Sequence, residues 1–476
     1  MRIDKLEIRN FKKFNELTLT LHPQLTVLVG RNAAGKTTVL DALAVSMGVW
    51  LVDPPDTMLQ NSRRNILEKE IHLHAVQRGD RTQFQQSRPV VISATGQIGA
   101  WTGTWTRKIS EGGVRTSNAE AQEALNVIQG IYEKAQRGDA VLCPILAYYG
   151  AGRGWLPSRE RASGAPPGDG PARRWAAFYD CFSERIRFAE LRKWFLRETT
   201  EAGNRGGRMR PGFQAVRQAI LRCVPDSDGV WFSSDLDQIV LSIGGQAQPI
   251  DNLSAGLRMM LAMVADLAIK AVTQNAHLLP EDQLGPEDQP LPRVLRDTRG
   301  VALIDELDVH LHPSWQRRVA ADLKATFPAI QFVCTTHSPQ VIGELSREEV
   351  RLLGEDEISH PQVARGADSN WILDHVIRDG AASENAEARA LQQEIEDAME
   401  EGDFPKASDR LEQLKRLMEG GLTSELVSLE SRLASLEALA RDDGTDSGRP
   451  DINPGSGDLL EVLARDDGTD VPAEDP

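Results

Sequence analysis

An eight-residue stretch near the start of the chain constrains its fold more than any other. Residues 30–37 read GRNAAGKT and match the pattern G-x-x-x-x-G-K-[ST]. An apolar run at 25–29 precedes this stretch, and a helix-forming run at 38–43 follows it. A strand, a glycine-rich loop and a helix in this order present backbone N–H groups and a helix N-terminus to phosphate. The pattern therefore predicts an α/β domain that binds a nucleotide.

The side chains at the end of this loop have separate expected roles. We expect Lys36 to reach the β- and γ-phosphates of ATP, and we expect the Thr37 hydroxyl to ligate Mg²⁺. The other residues expected to contact the nucleotide lie in the loop and just after it. They are Gly30, Asn32, Ala33, Ala34, Gly35 and Thr38.

Three shorter motifs follow the loop. LSAGL at 253–257 is a weak signal by itself, because a Ser-Gly turn before a helix is common. VALIDE at 301–306 predicts an apolar strand that ends in two carboxylates, and alone it fits a strand running into an acidic turn equally well. IQFVCTTH at 330–337 predicts a strand that ends at a histidine. A lone histidine there is usually structural, but ligands of open α/β sheets bind at the carboxyl ends of strands.

These carboxylates suit the chemistry of phosphate hydrolysis. Asp305 would hold Mg²⁺ together with Thr37, and Glu306 would polarise the attacking water as a general base. The expected catalytic residues are thus Lys36, Glu306 and His337.

Taken in order, the motifs resemble the ABC-type ATPase head of the SMC, Rad50 and RecF proteins, within the AAA family. The resemblance implies a D-loop aspartate at Asp308 and a signature motif that acts through Ser254 and Gly256. It implies a homodimer, with larger oligomers as a further expectation, in which two ATP molecules are sandwiched head to tail. Ser254 and Gly256 of one subunit would then touch the phosphate that Lys36 of the other holds. Four glutamines remain candidates for the Q-loop of this family: Gln77, Gln83, Gln85 and Gln86.

Three further strings narrow the resemblance: YYGAGR at 148–153, DELDVHLHP at 305–313 and DSNWIL at 368–373. They resemble the ATPase of the Septu anti-phage defence system, which also occurs with retrons. In that family a separately encoded HNH nuclease is the partner, and the nucleotide state of the ATPase controls cutting of nucleic acid. The sequence has no HNH pattern and no Toprim-like carboxylate cluster, so we expect an ATPase without nuclease activity of its own.

Two other functions remain open. One is a RecF-type or SMC-type DNA-repair ATPase that binds DNA directly. The other is a non-catalytic nucleotide switch, against which Lys36 and Glu306 argue. The basic region at 153–222, with fifteen Arg and Lys against seven Asp and Glu, fits a nucleic-acid face or a solvated face that docks an acidic partner.

The expected fold is an α/β ABC-type head, with a mixed parallel sheet and an antiparallel arm, a helical insertion and a C-terminal helical region. No sustained heptad pattern lies between the loop and LSAGL, so a coiled-coil arm is not expected. Leucine stripes after residue 385 predict a surface that docks another chain. The expected segments are 1–115 with the phosphate loop and arm, 116–245 as a helical and basic insertion, 246–365 with the other ATPase motifs, 366–440 as a helical partner-docking region, and 441–476 as an acidic disordered tail.

Composition excludes some classes and locates the acidity. No run of 18 apolar residues exists, so no membrane partner is expected, and four widely spaced cysteines fit reduced thiols in a cytoplasmic protein. Residues 384–476 hold 25 acidic and nine basic residues, which account for the whole net charge of −16. The tail repeats LARDDGTD, which fits either a chance duplication or a short helix presented twice to a partner. The pairs His72/His74 and His310/His312 favour structural roles over a metal site, because no third ligand is nearby in sequence.

Overall fold

The computed structural model describes residues 1–78, 81–154, 174–354, 358–377, 386–417 and 424–442. Contacts divide the chain into two compact units, Met1–Ser383 and Glu384–Pro476. Most of the expected acidic tail, including its second repeat, lies outside the described residues. The first unit therefore contains every motif that the sequence assigns to the ATPase head.

The strands of the described residues all belong to the first unit. Numbered along the chain they are β1 Arg2–Phe11, β2 Phe14–Thr20, β3 Leu25–Val29, β4 Leu73–Arg78, β5 Arg81–Gln86, β6 Val90–Ile98, β7 Trp101–Ile109, β8 Ile145–Tyr149, β9 Ser227–Ser233, β10 Gln238–Ile243, β11 Gln246–Pro249, β12 Gly300–Ile304, β13 Ile330–Thr335, β14 Val350–Leu353 and β15 Ile358–Ser359.

The α-helices occur in both units. They are α1 Lys36–Met47, α2 Gln122–Gln136, α3 Phe188–Asn204, α4 Pro211–Cys223, α5 Ala255–Gln274, α6 Arg293–Asp297, α7 Pro313–Thr326, α8 Pro339–Ile342, α9 Ser369–Ile372, α10 Ala386–Glu400, α11 Phe404–Leu417 and α12 Ser424–Asp442. Among the described residues, none of these helices combines the length and apolar character that crossing a membrane requires.

A six-stranded mixed sheet forms the centre of the first unit. Its order is β15-β14-β3-β13-β12-β8, and only the β14–β15 pairing is antiparallel. Strands β3, β8, β12 and β13 are buried along their whole length. Their continuous apolar sequences fit this position, because a parallel strand covered on both faces has no polar side to show. One strand, β13, separates β3 from β12.

An antiparallel sheet of four strands, β2-β1-β6-β7, forms the expected arm. Buried and partly buried residues alternate along β6, as expected for a strand with one face on the core. The neighbouring β4–β5 hairpin forms its own two-stranded sheet, and every residue of β5 is exposed. The α/β architecture expected from the sequence, a mixed parallel sheet with an antiparallel arm, is confirmed.

The segment expected as a helical insertion, 116–245, contributes more than helices. Its apolar run Ile145–Tyr149 forms β8, an edge strand of the mixed sheet that pairs with β12. Its last part, β9 and β10, forms a three-stranded sheet with β11. Helices α3 and α4 lie between these strands in sequence, and they bury Trp194, Phe195 and Phe213 in the same core as β3 and β12. This segment therefore helps to build the head itself.

Helices α10, α11 and α12 make up the described part of the second unit. Their apolar residues form a separate core, in which Ile395 and Leu414 are fully buried. The expected stripes comprise Leu411, Leu414, Leu417 and Met418 on one face and Leu426, Leu429 and Leu433 on another. Leu417 is partly buried against this core, Met418 lies outside the described residues, and the other five leucines are buried in it. These stripes are not an exposed surface, because the three helices cover one another. A docking role for the region 366–440 stays a prediction.

Candidate nucleotide-binding site

Three parallel strands of the mixed sheet end at the same edge. Register pairs Thr335 of β13 with Leu28 of β3, and Cys334 with Ile304 of β12. The phosphate loop follows β3, the Asp305-Glu306 pair follows β12, and Thr336-His337 follows β13. The sheet thus brings the phosphate loop together with two motifs from much later in the chain, at the edge where open α/β sheets bind their ligands; Thr37 and Asp305 are 268 positions apart.

The phosphate loop has an unusual backbone at two positions. Gly35 has a φ of 102°, and a Cβ there would lie 2.4 Å from the Phe14 ring. Only glycine fits this position, because both the backbone angle and the aromatic ring exclude a side chain. Ala33 has a φ of 61°. Its Cβ makes this left-handed conformation unfavourable by about 1–2 kcal/mol, so the loop keeps strain at an exposed residue.

Lys36 is buried at the centre of the loop. Its Nζ donates hydrogen bonds to the carbonyl oxygens of Gly30, at 2.7 Å, and Arg31, at 3.1 Å. The ammonium is therefore held inside the loop, where the loop and the start of α1 supply N–H donors for phosphate. A cation and a helix N-terminus at one position fit a polyphosphate.

Asp305 links the loop helix to the neighbouring strand. The Thr37 hydroxyl donates to Asp305 Oδ2 at 2.9 Å, and the Thr335 hydroxyl donates to Oδ1 at 2.6 Å. The Asp305 side chain is buried, with 7% of the residue exposed. A hydroxyl and a carboxylate at this distance are the hard oxygen donors that Mg²⁺ prefers. Thr37 and Asp305 are thus the residues of this chain that would hold the ion.

Glu306 stands in a strained backbone conformation beside Asp305. Its φ is 52°, in the left-handed region, and its side chain is only partly buried. The Glu306 N–H donates to Thr335 Oγ1 at 2.7 Å, and the next N–H, of Leu307, donates to the Thr335 carbonyl at 2.8 Å. Strain of this kind persists only when surrounding bonds hold it. Thr335, which the sequence did not single out, fixes both carboxylate residues.

The expected D-loop aspartate contacts the histidine segment of the same chain. Asp308 accepts a hydrogen bond from the Thr336 hydroxyl and a longer one, 3.4 Å, from the His337 N–H. His337 itself is partly buried at the end of β13. Asp308 and His337 therefore lie together next to the Asp305-Glu306 pair.

The signature residues have a different environment. Ser254 is exposed and caps α5, and its only side-chain hydrogen bond among the described residues is the one it accepts from the Leu257 N–H. A Cβ on Gly256 would lie 2.3 Å from the His310 carbonyl oxygen. Gly256 thus allows α5 to pack closely on the segment after Asp308. The exposed serine is available to a second molecule, as the expected head-to-tail dimer requires.

The arm supports the loop helix from the other side. Two side chains of β7 bind the last carbonyls of α1: Arg107 donates to Val45 O at 2.7 Å, and Trp105 donates to Ser46 O at 3.0 Å. Burial lowers the pKa of Arg107 to about 10, and the nearby Arg64 and Arg63 add to this effect. A cation at a helix C-terminus is favourable, so Arg107 anchors α1 to the arm.

Some candidate residues do not reach this site. The four candidate Q-loop glutamines lie on the β4–β5 hairpin, which is not part of the mixed sheet. None of them stands at the carboxyl edge, because the hairpin is a separate exposed sheet. Across the described ranges, no group of three His, Cys, Asp or Glu side chains could hold a metal ion by itself. The histidine pairs therefore have no third ligand from such side chains in this part of the chain.

Known families match the two halves of the site. Residues 1–48 match the model described as AAA ATPase domain, and residues 242–343 match the one described as AAA domain, putative AbiEii toxin, Type IV TA system. The retron Vc95 probable ATPase of Vibrio cholerae is 24% identical over 75% of this chain and 74% of its own length. The Septu protein PtuA of Bacillus mycoides is 22% identical over 75% of this chain and 41% of its own length.

The chain is related to the retron ATPases and to Septu PtuA. This confirms the resemblance expected from the sequence, although the chain spans less than half the length of the PtuA protein. A solved structure of an SMC head bound to the C-winged helix domain of ScpA has a TM-score of 0.44, with 14% identity over 76% of this chain and 98% of that chain.

Proposed function

We propose that the chain binds and hydrolyses ATP with Mg²⁺ as the ATPase subunit of a Septu-like anti-phage defence system. The observation that carries the proposal is the meeting of Lys36, Thr37, Asp305, Glu306 and His337 at one edge of the mixed sheet. The AAA family matches and the retron and Septu relatives support the same function.

Each residue at this edge has a distinct task in the proposed reaction. Lys36 gives up its hydrogen bonds to the loop carbonyls and donates to the β- and γ-phosphates instead. Glu306 takes a proton from the attacking water. Mg²⁺, when bound by Thr37 and Asp305, neutralises charge on the phosphates. His337 lies where the γ-phosphate end of the site is expected and orients that group by hydrogen bonding. Thr335 keeps Asp305 and Glu306 in place through its hydroxyl and carbonyl groups.

In this proposal the active form is a head-to-tail homodimer. Ser254 is exposed at the N-terminus of α5, and Gly256 holds that end of the helix against His310. A helix N-terminus binds phosphate well, so the signature of one subunit would complete the site of the other. Hydrolysis would then depend on assembly, and the isolated protein would turn over slowly.

We propose further that nucleotide state controls a separately encoded HNH nuclease. The relatives of the chain are named for retrons and for Septu, and the described residues form an ATPase head and a helical unit. Nucleic acid would be reached through the complex with the nuclease.

Direct DNA binding by a repair ATPase is the alternative. The ion pairs within the basic region at 153–222 argue against this alternative. A free row of cations is what phosphate backbones need. Several of the described cations between residues 174 and 222 are instead paired with carboxylates. The pairs are Arg187 with Asp180, Arg192 with Asp237, Arg205 with Asp282, and Arg210 with Glu198 and Glu201.

Co-expression with the HNH nuclease tests the defence function. We expect the pair to reduce phage plaques, and we expect each protein alone to give no protection. Lys36→Ala should abolish protection, whereas Lys193→Ala, which changes an exposed lysine of α3, should retain it. Tight binding of duplex DNA by the ATPase alone, without any effect of the nuclease on phage, would favour the repair function instead.

A further inference from the structure

Glu184, which lies outside every expected motif, is held beside the catalytic edge by the end of β8. Strand β8 ends beside β12, and the Asp305 N–H donates to the Tyr149 carbonyl at 2.8 Å. Because Ile304 pairs with Tyr149, Gly150, the residue directly after β8, lies opposite Asp305. Its N–H donates to the carbonyl of Glu184 at 3.0 Å, which brings a distant segment of the chain to this point.

The side chain of Glu184 lies directly over Gly150. A Cβ on Gly150 would be 2.6 Å from Glu184 Cβ, 2.9 Å from Cγ and 3.1 Å from Oε2. Distances below 3.0 Å do not occur between such atoms, so the absence of a side chain at 150 makes room for this glutamate. Its carboxylate thus crosses the end of β8 and remains exposed to solvent.

The buried phenol of Tyr148 is affected by the carboxylates around the end of β8. The Tyr148 ring is buried in β8, and burial raises the pKa of its phenol well above the ordinary value. The carboxylates of Asp41, Asp305 and Glu184 raise the pKa further. The phenol of Tyr148 is therefore subject to the fields of both Asp305 and Glu184.

Glu184 has no cationic partner among the described residues, unlike its neighbours. Asp180 is paired with Arg187 at 2.8 Å, and Asp266 is paired with Lys270 and accepts a hydrogen bond from the Tyr149 hydroxyl. Glu184 forms no ion pair and no side-chain hydrogen bond within the described ranges.

We propose that Glu184 is a positioning carboxylate that accepts hydrogen bonds from water molecules around the Mg²⁺ held by Thr37 and Asp305. It acts through water, because Mg²⁺ bound by only one or two protein ligands keeps several of its own waters. Outer partners of this kind orient the waters of an ion and contribute to its affinity. This inference rests on the proposed ATP binding.

Magnesium dependence of nucleotide binding tests the role without requiring catalysis. Full-length wild type, Glu184→Ala and Glu184→Gln would be titrated with Mg²⁺ in the presence of a fluorescent, non-hydrolysable ATP analogue. We expect the Mg²⁺ concentration for half-maximal binding to rise roughly 10-fold in Glu184→Ala. Glu184→Gln, which keeps an acceptor oxygen, should give a smaller rise. Glu190→Gln, a change of an exposed carboxylate paired with Lys193, is the matched control and should resemble wild type.

A second variant, Gly150→Ala, tests the position of Glu184 by changing the residue beneath it. Gly150→Ala places a methyl group where Glu184 lies, so it should raise the Mg²⁺ requirement in the same direction, while binding of the analogue in EDTA stays as in wild type. If Glu184→Ala and Glu190→Gln have equal Mg²⁺ midpoints, the role of Glu184 is wrong even though ATP binding stands. If wild type binds no analogue at any Mg²⁺ concentration, the proposed function fails and this inference fails with it.

Discussion

The catalytic edge of the head and the three-helix C-terminal unit are built on opposite principles. At the edge, Ala33, Glu306 and His310 all have left-handed backbones, with φ between 52° and 61°. Buried polar side chains such as Lys36 and Asp305 lie among them. In the C-terminal unit, every described residue that is buried is apolar. One region retains strain and buried charge, and the other consists of regular amphipathic helices.

This difference in construction indicates that the edge serves the chemistry and the helical unit serves stability. Left-handed backbones and buried ions lower the stability of the folded state, so they persist where surrounding contacts enforce them. A core of alanine, leucine and isoleucine between helices contributes stability through burial alone. Substitutions at the edge should therefore change chemistry with little effect on folding, and substitutions in the helical core should do the reverse.

The largest effect is expected from Glu306→Gln. Loss of the general base should reduce ATP turnover by roughly 10²–10⁴-fold, and nucleotide binding should remain because glutamine keeps the size and the backbone contacts of Glu306. Phosphate release and binding of a fluorescent ATP analogue measure the two properties. Glu344→Gln, at an exposed position after β13, is the control. Turnover at the wild-type rate in Glu306→Gln would remove Glu306 from the reaction.

The dimer can be tested by complementation. Lys36→Ala and Ser254→Arg should each be inactive, because one lacks the phosphate cation and the other blocks the signature surface. A mixture should regain part of the activity, since each mixed dimer has one intact site made of a wild-type loop and a wild-type signature. Turnover of the mixture would be measured after native mass spectrometry has shown mixed dimers. No regained turnover in such dimers would mean that Ser254 does not act across subunits.

Substitutions in the core of the C-terminal helical unit should change its stability and leave ATP turnover unchanged. Leu414 is fully buried, and Leu414→Ala should lower the stability of this unit by about 2–5 kcal/mol through lost burial and a cavity. Val427 is 46% exposed, so Val427→Ala should change stability by about 0.5 kcal/mol or less. Chemical denaturation of the full chain followed by circular dichroism measures both. ATP turnover below the denaturing range should equal wild type, and a large loss of turnover in Leu414→Ala would show that the two regions are not functionally separate.

The smallest effect is expected from Ala33→Gly. Glycine adopts a φ of 61° without steric cost, but it also adds freedom to the unfolded chain. The two effects oppose each other, so we expect a net change of about 1 kcal/mol or less in stability and a slightly tighter binding of ATP. Calorimetry and analogue binding measure these changes. A large loss of ATP affinity would show that the alanine methyl group contributes to the loop, and the strain argument for this edge would then need revision.

Local patterns were sufficient for most of the head. The loop at residues 30–37 and the apolar runs at 25–29, 300–304 and 330–335 predict strands, a helix start and their common edge. Each of these signals can be recognised because its residues lie within a few positions of one another. The roles of Thr335 and Glu184 could not be predicted in this way. Each acts through a partner in another segment, and nothing in the neighbouring sequence distinguishes either residue from an ordinary strand or loop residue.

The C-terminal stripes show the same limit. Periodicity identified which residues of α11 and α12 share a face, but an apolar face looks the same in sequence whether it binds a partner or a neighbouring helix. Packing of α10, α11 and α12 decided that these leucines cover one another.

By itself, the sequence determined the phosphate loop, the strand-forming runs and the types of side chain available for catalysis, since those depend on residue spacing and backbone preference. Only the tertiary structure decided that Thr335 holds Asp305 and Glu306, which glycine admits Glu184, and which apolar faces stay covered. The reason is physical: contacts between segments far apart in the chain depend on sheet order and register, and these are properties of the folded molecule as a whole.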